Sequence, residues 1–177
     1  MAKIRTLSQY FLKGHTRYQQ PTFFPEMFLN SLAFKYTSFE YFRMLINFND
    51  HIPPLKIAAF YENLNPEIKQ CKPHTIRLGK HFSENDKISI RTWLDKPYNS
   101  KQIILAPNIL LKRVYNIQLG RHLSGELVTL LNNKKININT LATNDGLSLT
   151  DFNEWFNAIK PGKLVDAQIL CWNHINY

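Results

Sequence analysis

The chain has 177 residues, 44% of them hydrophobic, and a formal net charge of +9 at neutral pH. This length supports one packed core and is short for two ordinary domains. No run reaches the ~18 apolar residues that a membrane-spanning helix needs, and Arg5, Gln9 and Lys13 interrupt the amino terminus before a signal-peptide core could form. We therefore expect a cytoplasmic protein with no membrane partner. Its two cysteines, Cys71 and Cys171, are too few for a disulfide framework.

The basic excess lies in the middle of the chain. Residues 56–120 carry 11 basic and 5 acidic side chains, residues 1–55 carry 6 and 3, and residues 121–177 carry 5 of each. A basic excess next to aromatic residues is suited to a polyanion, and nucleic acid is the expected one in the cytoplasm. The alternative is a surface that is basic for solubility alone.

The first third of the chain predicts an irregular lead-in followed by helices. Residues 1–22 show no clear period and indicate an extended arm. Pro25 stands at a favoured first helical position, and Ser38 is a candidate N-cap. The predicted helices cover residues 25–32, 39–48 and 55–63. Residues 1–55 are thus predicted to form an N-terminal arm and helical extension.

From residue 87 onward the hydrophobic period changes to two, which is typical of strands that are buried on one face. The predicted strands cover residues 87–94, 102–105, 109–118, 126–136 with a turn at Asn132-Asn133, and 165–173. Ser148 and Asp151 resemble a capping box for a helix over residues 149–159. The pattern predicts an α+β fold, a small mixed β-barrel with flanking short helices, over residues 56–177.

The segment from Cys71 to Arg77, CKPHTIR, places two cations, a histidine and a hydroxyl within seven residues. Its residues 72–77 resemble the K-x-x-T-I-R signature of the ASCH (ASC-1 homology) domains, a branch of the PUA-like superfamily of small β-barrels. The resemblance extends to Trp93 and to the segments at 96–102, 141–148 and 171–173. Residues 1–55 resemble the amino-terminal extension of an ASCH-like subgroup of Bacteroidota and their phages.

The resemblance implies a PUA-like barrel that binds RNA or a modified nucleoside through a cleft at the K-x-x-T-I-R segment. One bacterial branch of the family removes the acetyl group of N(4)-acetylcytidine with a lysine, a threonine and a glutamate. Lys72 and Thr75 match the first two, as general base and nucleophile. The acid falls on Asp145, which is one methylene shorter than glutamate and so has less reach. No cofactor is implied.

The predicted ligand contacts lie in the motif and in the segment that follows Trp93. They supply stacking faces, phosphate contacts and hydrogen bonds to a base, and they are His74, Arg77, Trp93, Lys96, Tyr98, Asn99, Ser100 and Lys101. A plainer interpretation also fits. Lys72 and Thr75 are then ordinary residues at a chain break, Asp145-Gly146 is a turn, and Trp93 belongs to the core beneath a proline-containing hairpin.

A zinc site is the alternative for the histidine and cysteine residues. Cys71-x-x-His74 and Cys171-x-x-His174 make a formal quartet of ligands. If residues 171–174 lie on a strand, side chains three apart point to opposite faces and do not meet on one ion without a bend. We expect no metal.

Three functions therefore stand as hypotheses. The first is binding of RNA or a modified nucleoside, and the second is an amidohydrolase acting on N(4)-acetylcytidine-like substrates. The third is a phage or mobile-element module whose basic face binds an unspecified protein partner. Binding to RNA predicts an affinity that falls with salt, and hydrolysis predicts turnover of a small substrate.

Overall fold

The computed structural model describes residues 2–32 and 36–177. The helices in this part of the chain are α1 Phe24–Ser31, α2 Phe39–Phe48, α3 Pro54–Glu62, α4 Ile138–Asn144 and α5 Leu149–Trp155. The strands are β1 Lys3–Thr6, β2 His74–Leu78, β3 Lys87–Trp93, β4 Gln102–Leu110, β5 Arg113–Arg121, β6 Leu127–Leu131, β7 Lys134–Lys135 and β8 Leu164–Cys171. None of the helices in the described ranges is long and apolar enough to cross a membrane.

The described strands form two sheets. One has the order β1-β3-β4, and the other has the order β2-β8-β5-β6-β7. The pair β1 and β3 is parallel, and the other strand pairs are antiparallel. The α+β class predicted from the sequence is confirmed. The predicted small β-barrel is not closed in the described residues, because their hydrogen-bonded ladders leave both sheets open.

The predicted helix N-caps and the predicted hairpin turn occur at the residues that the sequence indicated. The Ser38 hydroxyl accepts a hydrogen bond from the Tyr41 amide (3.2 Å) at the start of α2, and Ser148 caps α5 in the same way. Asn132 and Asn133 both have positive φ, as a tight two-residue hairpin turn requires, and they connect β6 to β7.

The boundary between two predicted strands is wrong, because β4 continues from Gln102 to Leu110 and β5 begins only at Arg113. Three further elements differ from the sequence prediction. Residues 1–22 were expected to be irregular, but β1 forms there and pairs with β3, with Lys3 opposite Ile88. The CKPHTIR segment was expected to be a loop, but from His74 onward it is strand β2, with His74 opposite Cys171 on β8. Helix α4 was not predicted. Strands of four or five residues and a helix of seven are too short for a hydrophobic period to identify them.

The amino-terminal helices pack directly onto the remainder of the chain through buried polar contacts. Asn49, at the end of α2, donates to the Ile104 carbonyl (3.0 Å) and accepts from the Ile104 amide (2.7 Å) on β4. Trp172, just after β8, donates its indole N–H to the Ser31 hydroxyl of α1 (2.7 Å). These bonds satisfy groups whose burial would otherwise cost stability, and they fix α1 and α2 against the two sheets.

The strand that carries the motif, β2, is linked to the other sheet by a hydrogen bond. Strand β1 is at one edge of the three-stranded sheet, and β2 is at one edge of the five-stranded sheet. Arg77 on β2 bridges them, because its Nη2 donates to the Thr6 carbonyl at the end of β1 (2.8 Å). The polar residues of the motif therefore lie at the junction between the sheets.

Gly146→Ala is expected to destabilise the protein more than Gly125→Ala. Both glycines have positive φ, which costs an L-residue about 1–2 kcal/mol. At Gly146 an added Cβ would also lie 2.7 Å from Met27 Sδ, whereas no described residue lies within 4 Å of it at Gly125. We expect losses of about 1 kcal/mol for Gly125→Ala and about 2–3 kcal/mol for Gly146→Ala in urea unfolding. Equal losses would contradict the close packing of α1 on the end of α4.

Candidate functional site

A cavity of about 180 Å³ lies between β1, β2 and the β3–β4 hairpin. Its polar lining includes Lys72, Thr75 and Arg77 of the motif and Asp145 at the end of α4. Its aromatic lining consists of Phe24, Trp93, Tyr98 and Trp155. The three predicted catalytic residues and three of the predicted ligand contacts are thus brought to one cavity from segments far apart in the sequence.

Lys72 is held inside the protein by both its backbone and its side chain. Its amide donates to the Met27 carbonyl of α1 (2.9 Å), and the residue is only 1% exposed. The ammonium donates to the carboxylate and to the backbone carbonyl of Asp145, and it lies 4.1 Å from the centre of the Phe24 ring. Lysine is almost never fully buried without a partner, and here Asp145 is that partner.

The end of α4 presents Asp145 to this lysine. The Leu147 amide donates to the Ala142 carbonyl (2.9 Å) and the Gly146 amide to the Thr143 carbonyl (3.0 Å), which is the Schellman arrangement at a helix C-terminus. The resulting turn directs both the carboxylate and the carbonyl of Asp145 toward Lys72. The aspartate therefore reaches the ammonium although it is one methylene shorter than the glutamate of the hydrolytic branch.

Burial weakens the charged forms of both partners. It lowers the pKa of Lys72 from 10.5 to about 8, and the negative charge of Asp145 offsets only part of this effect. Burial also raises the pKa of Asp145, against the opposing effect of Lys72 and a smaller one of Arg77. A lysine with a pKa near 8 has a substantial neutral fraction close to physiological pH, so it is available as a proton acceptor.

Thr75 is buried and faces the same cavity. Within residues 2–32 and 36–177, no hydrogen bond joins its hydroxyl to the Lys72 ammonium, whose hydrogen bonds go to Asp145. Thr75 and Arg77 are two apart on β2 and so project from the same face of the strand. The hydroxyl is positioned to contact a ligand, but the predicted base, Lys72, and the predicted nucleophile, Thr75, are not hydrogen-bonded to each other.

Arg77 makes the cavity positive. Its Nε is buried and has no hydrogen-bond partner among the described residues, and the same is true of Arg5 Nε on β1. Burial lowers the pKa of both guanidinium groups, and the charge of Arg77 lowers the pKa of Arg5 further. Arg77 lines the cavity and Arg5 does not. A guanidinium group on the cavity wall favours an anionic or strongly electronegative group on a ligand.

His74 lies behind the cavity rather than in its lining. It is completely buried, and its Nδ1 is hydrogen-bonded to the hydroxyl of Tyr177, which also accepts from Asn144 (2.8 Å). Its Nε2 is 3.9 Å from the Asp145 carboxylate. Burial, reinforced by Lys72, lowers the pKa of His74 well below 6.5, so the ring is neutral at physiological pH. His74 was predicted to contact a ligand directly. It does not line the cavity, and it lies next to Asp145 instead.

The β3–β4 hairpin brings part of its predicted patch to the cavity. The Trp93 and Tyr98 rings are 5.3 Å apart, and both line it. Tyr98 has a φ of 64°, a strained value for a bulky residue. The Ser100 hydroxyl is used inside the hairpin, since it accepts from the Asp95 amide and donates to the Lys96 carbonyl.

The remaining predicted contacts of the hairpin point elsewhere. Lys101 donates to the His51 carbonyl (3.0 Å). Lys96 and Asn99 are exposed and do not line this cavity. Contacts from these three residues to a ligand would therefore have to be made outside the cavity.

Several cavity residues were not found by sequence reasoning. Thr6, Leu7, Ser8 and Leu12 come from the amino-terminal arm, Phe24 from α1 and Trp155 from α5. The arm is fixed to α5 by the Thr16 amide, which donates to Glu154 (2.8 Å), and by an ion pair of Arg17 with Asp151 (2.8 Å). These contacts join residues more than a hundred positions apart and carry no local signal in the sequence.

The four residues of the zinc alternative are divided between surface and interior. Cys71 and His174 are exposed, whereas His74 and Cys171 are buried. No group of three or more His, Cys, Asp or Glu side chains that could hold a metal ion occurs in the part of the chain that the structure describes.

The chain matches no protein-family model, no curated protein and no solved structure.

Lys72 is expected to titrate near pH 8 in the folded protein, because burial lowers its pKa to about that value. Carbon NMR of labelled lysines should find a midpoint near this pH, which Lys72→Met removes. Because the pKa is higher in the unfolded chain, that chain binds more protons between about pH 8 and 10.5, and the free energy of unfolding rises with pH across this window. Relative to Lys72→Met, the wild type should gain about 2 kcal/mol between about pH 7.5 and 9.5.

The matched control for this titration is Lys80→Met, which removes an exposed lysine paired with Asp166 at the surface (3.0 Å). It should leave the midpoint near 8 in place. If no lysine midpoint lies near pH 8, the effect of burial on the pKa of Lys72 described above is wrong.

Proposed function

We propose that this chain is an ASCH-like domain of the PUA-like superfamily and that it binds RNA or a modified nucleoside. One base of the ligand enters the cavity at the K-x-x-T-I-R segment. The observation that carries the proposal is the convergence of Lys72, Thr75, Arg77 and Asp145 beneath the rings of Trp93 and Tyr98. Family membership rests on the motif and on the α+β arrangement around it.

The size of the cavity supports a ligand no larger than a base. Its volume of about 180 Å³ is below the ~300–1,000 Å³ of pockets that enclose drug-sized ligands. Its walls are aromatic on several sides, and aromatic side chains stack on the faces of unpaired bases. A flat heterocycle is therefore a better match than a sugar chain or an extended peptide.

The polar groups suit the edge of a base. The Lys72 ammonium has three N–H donors, and its two hydrogen bonds to Asp145 leave one for a ligand. The Thr75 hydroxyl donates or accepts as the ligand requires. Arg77 adds a cation suited to a carbonyl oxygen or a phosphate. Together these groups favour a base with carbonyl oxygens and an exocyclic nitrogen, such as a cytosine derivative.

Hydrolysis of an N-acetylated base is the second candidate, and the lowered pKa of Lys72 next to Thr75 favours it. Neutral Lys72 would take the hydroxyl proton as Thr75 Oγ1 attacks the acetyl carbonyl, and the resulting ammonium would protonate the departing exocyclic amine. Water would then hydrolyse the threonine acetyl ester and release acetate. This route requires the Lys72–Thr75 hydrogen bond to form when the substrate enters.

Thr75→Val tests base binding, because it removes the hydroxyl and preserves the shape of the side chain. We expect the variant to bind nucleosides about three- to tenfold more weakly, the usual value of one hydrogen bond. Calorimetric titration with the common ribonucleosides and N(4)-acetylcytidine gives the affinities. Thr150→Val, at an exposed position of α5, is the matched control. Binding that is equal in all three proteins would place the ligand outside this cavity.

Turnover is tested by following the loss of the acetyl group from N(4)-acetylcytidine. If the cavity is catalytic, Thr75→Val should abolish most of the rate, because the nucleophile is lost. Asp145→Glu should also lower the rate. Asp145 is buried and already contacts Lys72, so the longer glutamate side chain must displace the Lys72 ammonium from its position. A faster Asp145→Glu variant would contradict this geometry. If the wild type binds the nucleoside but does not turn it over, the hydrolysis candidate is wrong and only the binding function remains.

A further inference from the structure

A second and larger cavity, of about 640 Å³, adjoins the first. It is a surface groove between the amino-terminal arm and the β3–β4 hairpin. Ser8, Leu12, Pro97 and Tyr98 border both cavities, so the groove leads directly into the cavity that holds the motif.

The groove displays an unusual set of exposed rings. Tyr10, Tyr18 and Tyr98 line it and are 47%, 51% and 86% exposed. Large aromatic side chains grouped on a surface mark interaction sites more often than scattered ones do. Lys13 and Lys96 also line the groove and are exposed, against the single carboxylate of Asp95. Rings interleaved with cations are suited to bases and phosphates along a strand.

The arm that carries two of these rings is a fixed part of the structure. The Phe11 amide donates to the Gln20 carbonyl (2.9 Å) and the Gln19 amide to the Phe11 carbonyl (3.2 Å), which closes the segment between Tyr10 and Tyr18. His15, within this segment, is buried against α5 and contacts the backbone carbonyl of Asp151. A platform that is ordered before binding loses little entropy when a ligand arrives.

We infer that this groove is a second subsite, which holds the nucleotides next to the base in the first cavity, so that the ligand is a single-stranded RNA segment rather than a free nucleoside. The inference rests on the proposed base-binding function. Stacking on exposed rings raises affinity by roughly tenfold for each base. The shared border of the two cavities gives the strand a continuous path from one to the other.

The test compares a nucleoside with a strand. The probe is an oligoribonucleotide of about six nucleotides, with the best-binding base at an internal position, and the same nucleoside alone is the reference in each variant. The oligonucleotide should bind at least tenfold more tightly than the nucleoside. Tyr10→Ala and Tyr18→Ala should each remove about tenfold of oligonucleotide affinity. Lys13→Ala should reduce the magnitude of the salt slope by about 0.7.

Matched controls lie away from the groove. Phe39→Ala removes a ring that is 71% exposed on α2, and Lys134→Ala removes an exposed cation on β7. Neither residue lines either cavity. Both variants should bind the oligonucleotide as the wild type does.

The outcomes separate this inference from the proposed function. The groove is not a subsite if the oligonucleotide binds no more tightly than the nucleoside. The same holds if Tyr10→Ala and Tyr18→Ala leave the higher affinity for the oligonucleotide intact. Base binding in the first cavity stands in both cases. Oligonucleotide binding that depends on Tyr18 but not on Thr75 supports the groove and overturns the base cavity. Binding of neither probe overturns both. An acidic peptide that competes equally well with the oligonucleotide overturns the assignment to RNA in favour of a protein partner.

Discussion

The buried ion pair of Lys72 with Asp145 is the contact on which the site depends. It joins residues 73 positions apart and connects the motif to the C-terminus of α4. Removing one partner of such a pair leaves an uncompensated buried charge and costs about 3–5 kcal/mol. The pair is compensated by the Asp145 carbonyl, by the Phe24 ring and by the Ile76 amide on the carboxylate. Fold and site are therefore stabilised by the same atoms.

The same pair sets what the lysine can do. Burial favours the neutral amine, whereas Asp145 favours the ammonium, and the balance leaves the pKa of Lys72 at about 8. A base is then available, but its hydrogen bonds are directed to the carboxylate and not to Thr75. A ligand that draws the ammonium away from Asp145 would have to compensate for that contact. Binding requires only the unused N–H, so the arrangement meets the needs of recognition more directly than those of catalysis.

The sequence predicted the parts of the fold that are encoded locally. Ser38 and Ser148 identified helix starts, Asn132-Asn133 identified a hairpin, and the period of two identified β3. Strands β1 and β2 were missed because each is stabilised by a distant partner strand and is too short for a period. The resemblance to ASCH domains indicated Lys72, Thr75 and Asp145, and all three line the cavity. The resemblance could not identify Trp155 or Phe24, which reach the cavity only through packing of α5 and α1.

The amino-terminal arm belongs to the site as much as the motif does. The division at residues 55 and 56 was drawn from composition and resemblance, yet the cavity wall crosses it, with Thr6 and Leu12 on one side and Thr75 and Arg77 on the other. The Thr6 carbonyl also accepts from Arg77 and so limits the positions that its guanidinium can take. Since Arg77 is one of the cations that a ligand in the cavity would meet, the arm would help to determine which ligand is bound. A cavity assembled in this way belongs to the whole chain, and residues 56–177 alone would lack one of its walls.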